Sequence, residues 1–392
     1  MTKAESALPI AIAVVGAGPV GLAAALLLND IGYRVASVAP ALPPTDQRTS
    51  ALLAGSVALL ERVGVWSHIA SEAAPLRTMR IVDGTHRLIR APEVAFHARE
   101  IGLEAFGYNI ANSTLVAALE AAAAARPIER HTALVEALAP GAHAVNLMLS
   151  AGDALAARLV VAADGRRSKI RDGVGIATDS WRYDQAALVC NLHHTVPHHD
   201  SSTEFHTEAG PFTLVPLPGD RSSLVWVDRP AASERRVNLE DTALAAEIER
   251  RAQSVLGAFT LDSKRQMFPL SGMNARRFAA NRVMLAGEAA HLFPPIGAQG
   301  LNLGYRDVAA LADVLAGAPR DPGSAEFLAA YDRARRVDVM SRTAAVDALN
   351  RTLLSGFLPT QALRGAGLFL LDRLPPLRRL AMRQGVAASG RD

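Results

Sequence analysis

A glycine-rich turn near the N-terminus restricts the fold of this chain more than any other feature. The apolar run 10–15 predicts a short buried strand, the sequence GAGPVG follows at 16–21, and an Ala/Leu-rich stretch to 29 predicts a helix. In such a unit the first glycine permits a tight turn, the second lets a phosphate approach the backbone, and the third lets helix and strand pack closely. Free N–H groups at the helix N-terminus then favour an anion. The pattern predicts a dinucleotide bound against Gly16, Gly18, Pro19 and Gly21.

The second predicted strand, 34–39, lacks the acidic residue that usually ends it. That residue normally accepts a hydrogen bond from the ribose of the dinucleotide, but here Ala39 stands at the position and Pro40 follows. We therefore expect the adenosine ribose to be held by other groups, or less tightly.

Composition and charge exclude several classes of protein. The length of 392 residues predicts two or three domains at roughly 150 residues each. The net charge is only +3, with basic and acidic residues mixed along the chain, which argues against nucleic acid as the main partner. The single cysteine, Cys190, allows no internal disulfide and fits a reducing cytoplasm. No uncharged apolar run reaches about 18 residues, so no transmembrane helix is expected.

The C-terminal residues 341–392 differ in charge from the rest of the chain. They hold eight Arg, no Lys and three Asp, a charge of +5, so that the total of +3 leaves −2 for residues 1–340. Apolar stretches at 353–359, 367–371 and 374–382 are mixed with these arginines. Apolar and basic faces together are typical of a helix attracted to an anionic membrane surface. The alternative, a helix packed on the body of the protein, stays open.

Two later segments extend the nucleotide-binding pattern. An apolar strand ends in Asp164-Gly165 and leads into a loop with Ser and Arg, which alone is an ordinary turn signal. The segment 282–307, RVMLAGEAAHLFPPIGAQGLNLGYRD, is more specific. Its strand leads to the carboxylate of Glu288, which can accept hydrogen bonds from a polyol. A rigid Pro-Pro loop then precedes a helix, opened by two glycines, whose N–H groups can face a negatively polarised ring edge.

Together the three segments resemble the class A FAD-dependent aromatic monooxygenases, which have the para-hydroxybenzoate hydroxylase fold. The resemblance spans residues 10–307 in the family's order and implies FAD as the cofactor. By this resemblance Glu288, where the family usually has Asp, binds the ribityl chain. The residues expected to bind FAD, beyond the first glycine turn, are Asp164, Gly165, Gly287, Glu288, Pro295, Gly297, Gln299, Gly300, Leu301 and Asn302.

The same resemblance implies positions near the flavin site for three further residues. Arg48 matches the family's Arg that follows the second strand and lies near the flavin, and Asn112 matches its polar position at the start of the next long helix. Without the resemblance, Arg48 fits a solvated loop and Asn112 fits a helix N-cap. His291 has the place of a structural histidine behind the loop, and we favour that interpretation over a catalytic base.

Within this class the resemblance is strongest to the ring hydroxylases of ubiquinone biosynthesis. It rests on the segments 183–189, 210–217 with 224–226, 268–270 and 297–307. It implies hydroxylation of the aromatic ring of a polyprenylated phenol with O2 and NAD(P)H through a flavin C4a-hydroperoxide. Since no second G-x-G-x-x-G unit is present, NAD(P)H is expected as a transient co-substrate. The flavin carries the hard step, so no catalytic side chain is expected, and the protein supplies a dry pocket, orientation and help in deprotonating the phenol.

The histidine pairs at 193–194 and 198–199, with Asp200, superficially resemble a metal site. Adjacent histidines on a strand point to opposite faces of the sheet, so one site could use only some of them. A solvated strand end is the favoured interpretation, and no metal is expected.

The resemblance implies an α/β fold in three parts. They are a discontinuous Rossmann-like FAD-binding domain at 8–75, 104–178 and 266–340, a mostly antiparallel substrate domain at 76–103 and 179–265, and a C-terminal helical segment at 341–392. Period-2 alternation around 205–226 supports the sheet independently. The pocket wall is expected from strands within 180–270, with Pro294 and Pro295 opposite.

Two other functions stay open at this point. One is hydroxylation of a soluble aromatic compound, for which the apolar, basic C-terminal segment would be superfluous. The other is a non-catalytic flavin-binding scaffold of a biosynthetic complex, which the departures at Ala39 and Glu288 keep open. The expected location is the cytoplasm, peripheral to the inner face of the membrane if the C-terminal segment binds lipid.

Overall fold

The computed structural model describes residues 10–41, 46–85, 91–150, 152–294, 298–316, 321–354, 367, 369 and 373–386. The strands are β1 Ile10–Val15, β2 Val35–Ala39, β3 Thr49–Leu53, β4 Ala74–Pro75, β5 Thr78–Asp83, β6 Val94–His97, β7 Gly107–Ala111, β8 Glu129–Thr132, β9 Val135–Pro140, β10 Val145–Leu149, β11 Ala154–Ala162, β12 Thr178–His194, β13 Ser201–His206, β14 Pro211–Leu217, β15 Arg221–Asp228, β16 Phe259–Leu261, β17 Gln266–Ala275, β18 Ala279–Ala280, β19 Val283–Leu285 and β20 His291–Leu292. The α-helices are α1 Pro19–Asp30, α2 Ala54–Arg62, α3 Trp66–Ile69, α4 Asn112–Ala124, α5 Lys169–Gly173, α6 Pro230–Val237, α7 Asp241–Arg251, α8 Gln299–Leu315, α9 Ala325–Leu354 and α10 Pro375–Val386. Short 3₁₀ helices lie at Ala70–Glu72, Ala98–Ile101 and Gly287–Ala289.

The first sheet is a mixed sheet with a parallel centre. Its order is β18-β19-β11-β1-β2-β8, with β10 and β9 added beside β11. The pairings of β1 with β2 and β11, of β2 with β8 and of β11 with β19 are parallel. Five of the six residues of β1 are buried, because helices cover both faces of a central parallel strand. The sequence of β1 is almost entirely apolar because the strand lies in the middle of the sheet.

The second sheet has nine strands in the order β20-β17-β12-β15-β14-β13-β5-β6, with β16 on β12. Every pairing is antiparallel except that of β13 with β5. A third sheet has three strands, in the order β3-β7-β4. The predicted α/β fold class, with an antiparallel-rich second sheet and helices near the C-terminus, is confirmed.

Two boundaries of the predicted domains differ from the observed elements. We assigned residues 266–340 to the FAD-binding domain, but β17 belongs to the second sheet, where it pairs with β12 from Thr178 to Val189. The long ladder with β12 draws residues 266–275 into the second sheet, since paired residues gain backbone hydrogen bonds there. We also placed the start of a C-terminal segment at 341, but that position lies inside α9. The remaining domain boundaries stay predictions.

The two faces of the second sheet have different neighbours. One face carries Leu188, Cys190 and Trp226, which pack in an apolar core against α7 through residues such as Ile248. We call the opposite face, which carries Ala187, Val189, Val225, Val227 and Leu270, the inner face. Side chains alternate between faces along a strand, so neighbouring residues in one strand belong to different environments.

Helix α9 contacts both large sheets through polar side chains. Near its start, the hydroxyl of Tyr331 donates to the carbonyl oxygen of Leu285 in the first sheet at 2.6 Å. Near its end, Asn350 donates to the side chain of Gln185 in the second sheet at 2.9 Å. The 30-residue helix thus bridges the two sheets.

Helix α10 rests on the far edge of the second sheet. Met382 is buried in a small cluster with Ala98 and Phe106, and Arg378 forms an ion pair with Glu100 at 2.7 Å. Among the helices within the described ranges, none combines the length and apolarity required to cross a membrane.

Candidate functional site

The glycine turn after β1 has the tight geometry that its sequence predicts. Gly16 has φ +115°, a conformation that favours glycine. A Cβ on Gly21 would overlap the carbonyl oxygen of Gly16, and a Cβ on Gly16 would overlap that of Ala163. A Cβ on Gly18, in contrast, would have no atom within 4 Å. Gly16 and Gly21 are therefore required by packing, whereas the absence of a side chain at Gly18 leaves open space beside the backbone.

Three strands of the first sheet end at the same edge. Val15 of β1 is level with Ala162 of β11, and Ala162 is level with Leu285 of β19. The residues that follow these ends are Gly16, Asp164 and the Gly287-Glu288 pair, which the chain separates by more than 100 residues. Ligands of open α/β sheets bind at the carboxyl ends of parallel strands. The fold thus brings together the three motifs that the sequence singled out.

Helices α1 and α8 pack closely at this edge. A Cβ on Gly304 of α8 would lie 2.6 Å from Cγ2 of Val20, the second residue of α1. Gly287 has φ +62° and also packs against Val20. Because α8 begins at Gln299 and α1 at Pro19, the N-termini of both helices, with their unpaired N–H groups, belong to the same region.

Asp164 presents one carboxylate oxygen without a partner among the described residues. Its Oδ2 accepts a hydrogen bond from the backbone N–H of Ile170 at 3.3 Å, while Oδ1 is buried and unpaired. Burial raises the pKa of this carboxyl above its usual value, against the opposing effect of hydrogen bonds from Ser168 and nearby N–H groups. A buried acceptor without a donor is costly, so Oδ1 is suited to a ligand hydroxyl.

Arg48 and Asn112 are joined through a residue that the sequence did not single out. Asp46 accepts a bidentate pair from Arg48, at 2.8 Å from Nε and 2.7 Å from Nη2, and a third bond from Nδ2 of Asn112 at 3.0 Å. The Oδ1 of Asn112 in turn accepts from the Ser50 hydroxyl at 2.6 Å. The Asn112 side chain makes no capping bond in the structure, since α4 is capped by Ala111. Both residues therefore belong to one polar cluster, in which the Arg48 side chain is half-exposed and Asn112 does not cap its helix.

The polar cluster around Asp46 lies beside Glu288 and the second sheet. Arg48 has a raised pKa, caused first by its hydrogen bond with Asp46 and also by the charge of Glu288. The guanidinium carbon of Arg48 lies 5.7 Å from the ring centroid of Phe268 in β17. Glu288 itself is exposed. Arg48 thus lies between the carboxylate expected to bind a polyol and the inner face of the second sheet.

Asn302 has its side chain fully engaged in the protein. Its Oδ1 accepts from the N–H of Leu53 at 2.8 Å and from the Ser56 hydroxyl at 2.6 Å, and its Nδ2 donates to the carbonyls of Ala51 at 2.7 Å and Ala298 at 2.6 Å. An amide side chain has two donors and two acceptor sites, so none is left over. Contact of Asn302 with a ligand can therefore involve only its backbone, and the side chain fixes α8 against α2 and β3.

A buried ion-pair network supports the turn at Gly287 from behind. The carboxylate of Asp307 accepts from the N–H of Gly287 at 2.8 Å, from Nε of Arg335 at 2.6 Å, and bonds to Nε2 of His291 at 2.7 Å. Burial would raise the pKa of Asp307, but the charges of His291 and Arg335 outweigh it and lower the pKa below its usual value. His291 is 2% exposed, as expected for a structural histidine.

The remaining predicted residues lie on the loop and first turn of α8. Pro294 is buried, Leu301 is partly buried, Gly300 is exposed, and Oε1 of Gln299 accepts from Nη1 of Arg342 at 3.3 Å. Pro295 and Gly297 lie outside the described residues. The contacts of all predicted cofactor residues with a ligand stay predictions.

Comparison with known proteins places the site in a family. Residues 10–345 match the family described as the FAD binding domain. The chain is similar to ubiquinone hydroxylase UbiL of Rhodospirillum rubrum, with 34% identity over 96% of this chain and 89% of that protein. It is also similar to 3-demethoxyubiquinol 3-hydroxylase of Escherichia coli, with 33% identity over 96% of this chain and 98% of that one.

This chain belongs to the class A FAD-dependent monooxygenases. The solved structure of p-nitrophenol 4-monooxygenase PnpA from Pseudomonas putida shares the fold, with a TM-score of 0.79 and 21% identity over 98% of this chain and 99% of that one. The predicted family, the FAD cofactor and the oxidoreductase class are confirmed. NAD(P)H is the co-substrate typical of the family.

The site fits FAD on three observations. The open space at Gly18 accommodates a pyrophosphate, which the N–H groups at the start of α1 can bind. The unpaired Oδ1 of Asp164 is available to a hydroxyl of the cofactor. The exposed carboxylate of Glu288, beside Arg48, remains available to the ribityl chain despite its extra methylene relative to Asp.

We predict that Asp46→Asn destabilises the protein by on the order of 1 kcal/mol at pH 7, since the pair with Arg48 is partly exposed. Although burial would raise the pKa of Asp46, the bonds from Arg48 and Asn112 lower it from 3.8 to about 2. A carboxyl with a depressed pKa stabilises the fold fully above its unfolded value, and the effect is lost as pH falls through the folded value. Urea unfolding from pH 7 to pH 2.5 should therefore show that wild type has the higher free energy of unfolding at pH 7. The difference between wild type and variant should become smaller as the pH falls to 2.5.

The exposed Asp153 provides the control for the Asp46 variant, and Asp153→Asn should change stability little at any pH. A gap between wild type and Asp46→Asn that is absent at pH 7, or that widens towards acid, would contradict the assigned role of Asp46.

Proposed function

We propose that this protein hydroxylates the aromatic ring of a polyprenylated phenol in ubiquinone biosynthesis, with NAD(P)H and O2 as co-substrates. The observation that carries the proposal is the similarity, at 33–34% identity across almost the whole chain, to two proteins named as ubiquinone-pathway hydroxylases. Similarity of this extent covers both the cofactor site and the second sheet, so it concerns the substrate as well as the flavin.

The residues that hold FAD in this proposal come from four elements. The turn after β1 receives the pyrophosphate, and Asp164 and Glu288 accept hydrogen bonds from cofactor hydroxyls. Arg48, fixed by Asp46 and Asn112, supplies a positive charge beside them. The start of α8 directs backbone N–H groups towards the ring system. FAD, once bound, supplies the oxygen-activating chemistry, and the protein orients the phenol and excludes water.

The inner face of the second sheet supports an apolar ring as substrate. Ala187, Val227 and Leu270 form a small apolar cluster there, with Val189 and Val225 beside them. Arg48 packs near Phe268 of the same face, which brings the cofactor side within reach of this surface. Pro294 is buried before the first turn of α8 and remains the proposed wall opposite, together with Pro295.

The proposal is tested by mass spectrometry of lipid extracts from a strain without this gene. We expect a prenylated phenol that lacks one or more hydroxyl groups to accumulate and ubiquinone to be lost. An unchanged quinone pool, in a strain with no second enzyme of this type, would refute the pathway assignment. The scaffold alternative is tested separately, because a non-catalytic protein should not oxidise NAD(P)H when purified with its FAD.

We further propose that the C-terminal segment around α10 contacts an anionic membrane surface. Leu377 and Leu380 are 42% and 54% exposed on one side of this helix, while Met382 faces the protein. The arginines at 379 and 383 are also exposed. Exposed leucines flanked by cations fit the interface of anionic phospholipids, and such contact would give the enzyme access to a substrate dissolved in the bilayer.

The double substitution Leu377→Glu and Leu380→Glu is expected to reduce binding to vesicles of mixed anionic and neutral phospholipids about tenfold or more, because it removes apolar area and adds negative charge. Vesicle flotation measures the bound fraction. Leu134, 51% exposed in the turn between β8 and β9, gives the matched control, and Leu134→Glu should float like wild type. Equal flotation of the double variant and wild type, or no flotation of wild type, would contradict membrane contact.

A further inference from the structure

A row of paired residues crosses the inner face of the second sheet and includes a carboxylate. Val189 of β12 pairs with Val225 of β15, Val225 pairs with Thr213 of β14, and Thr213 pairs with Glu204 of β13. Directly paired residues in antiparallel strands point to the same face. Since Val189 and Val225 belong to the inner face, Thr213 and Glu204 point there as well. Phe205, the next residue of β13, packs in the core on the opposite face.

The inner face is the one turned towards the cofactor side. Nδ2 of Asn191 donates to the backbone carbonyl of Gln47 at 3.2 Å, next to Arg48 in the chain. Nδ2 of Asn109 in β7 bonds to the Ser223 hydroxyl of β15 at 3.2 Å. Asn191 and Ser223 pair with each other, two positions along their strands from the pair of Val189 and Val225, so they point to the same face. The row that leads to Glu204 therefore begins beside the polar cluster of Arg48.

Glu204 is held in a fixed orientation by two neighbours. Its Oε1 bonds to Nε2 of His206 at 2.8 Å, and its Oε2 accepts from the Thr213 hydroxyl at 3.2 Å. His206 lies two residues further along β13, so it points to the same face. Burial would raise the pKa of Glu204, but the bonds with His206 and Thr213 outweigh it, so the carboxyl is ionised near neutral pH.

This carboxylate retains room for a further donor. The Glu204 side chain is 21% accessible, whereas the His206 side chain is 6% accessible. An ionised carboxylate offers about four lone-pair sites, of which two are engaged here. Since most of the Glu204 side chain is buried, its charge carries a desolvation cost that a further donor would offset. A charged acceptor on the inner face is a suitable partner for a single hydroxyl group on an otherwise apolar ligand.

We propose that Glu204, positioned by His206 and Thr213, accepts the hydrogen bond of the substrate's ring hydroxyl and takes its proton as the ring is oxidised. The inference rests on the proposed function, because it requires a phenolic ring over Val225 and Thr213. In this role Glu204 selects a phenol over an aromatic ring without a hydroxyl group.

The proton transfer is balanced within this arrangement. In the proposed function, bound FAD with O2 and NAD(P)H would supply an electrophilic hydroxyl group, and the O–O bond that carries it would break as the new C–O bond to the ring forms. The ring then loses electron density and its own hydroxyl becomes strongly acidic. The phenolic O–H bond then breaks, its electron pair stays on the ring oxygen, and the proton forms an O–H bond with a Glu204 oxygen. Because the acidity of the phenol rises only during attack, a carboxylate with a low pKa is basic enough to accept the proton.

The test compares binding of a phenol carrying a short isoprenyl chain with binding of its methyl ether. Isothermal titration of the oxidised, FAD-loaded protein without NAD(P)H measures affinity with no turnover. We expect wild type to favour the phenol about tenfold or more, the value of a hydrogen bond to a charged group. Glu204→Gln should lose most of this preference while its affinity for the ether and its FAD content stay unchanged. Glu136→Gln, an exposed carboxylate on β9, serves as the matched control and should keep the full preference.

A second variant tests the inference even if Glu204→Gln does not fold. Thr213→Val removes only the hydroxyl that orients Oε2, and should reduce the preference about threefold with the fold intact. Equal preference for the phenol in wild type and both variants would overturn the inference, as would a wild type that does not distinguish phenol from ether. Product analysis with NAD(P)H and O2 tests the proposed function separately: a wild type that selects the phenol without hydroxylating it would refute that function and leave the role of Glu204 in recognition.

Discussion

Substituting valine for Gly18 is expected to abolish FAD binding and to leave the folding of the apoprotein intact. Gly18 has φ −71° and ψ 173°, an extended conformation that valine adopts readily, and its Cβ would meet no protein atom within 4 Å. The new side chain would instead fill the space that the pyrophosphate needs. We expect a loss of about 3 kcal/mol or more in FAD binding, at least a hundredfold in affinity, measured by flavin absorbance after reconstitution.

The neighbouring Gly21 provides the contrast. Its Cβ would overlap the carbonyl oxygen of Gly16, so Gly21→Ala should lower the melting temperature of the apoprotein as well as its FAD content. Apo wild type, prepared by removing FAD, is the reference for both variants. If Gly18→Val bound FAD with wild-type affinity, the pyrophosphate would have to lie elsewhere, and the assignment of this turn would fail.

The substitution Asp307→Asn is expected to cost about 3–5 kcal/mol of unfolding free energy, the range for removing one partner of a buried ion pair. Asp307 is fully buried and accepts hydrogen bonds from Gly287 and Arg335, in addition to its bond with His291. An amide cannot accept all of them, and its NH2 group would face other donors. Arg335, 1% exposed, would keep a buried charge without its main counter-ion. Denaturant unfolding measures the change.

Asp313, exposed on the same helix, is the control for the Asp307 variant. Asp313→Asn should change the unfolding free energy by no more than about 0.5 kcal/mol. A loss below about 1 kcal/mol in Asp307→Asn would show that the network is not needed to hold the turn at Gly287. Reduced FAD content in a variant that still folds would, in contrast, connect the network directly to the cofactor site.

The sequence predicted the cofactor edge because its signals are local. The glycines of the first turn, Asp164-Gly165 and Gly287-Glu288 each follow an apolar strand, and parallel strands bring such ends together whatever the length of chain between them. The departure at Ala39 was visible for the same reason. Family resemblance then assigned these local signals to one cofactor, FAD.

The contacts that fix the side chains could not be predicted, because they join distant parts of the chain. Asp46, which holds Arg48, bonds to Asn112 across 66 positions, and Asn302 bonds to Ala51 across 251. Neither pairing leaves a periodic trace in the sequence. Glu204 and His206 are two positions apart in β13, a spacing that places both side chains on one face, but it does not by itself indicate a site.

The bridge formed by α9 has a consequence for how the protein loses its structure. Its first half bonds to the first sheet through Tyr331, and its second half bonds to the second sheet through Asn350. Melting of either sheet would leave a polar group of α9 without its partner, so the helix favours melting of both sheets together. Two sheets that could have been separate cooperative units are thereby coupled into one. Heating should release them in a single calorimetric transition, with the helix acting as the shared element.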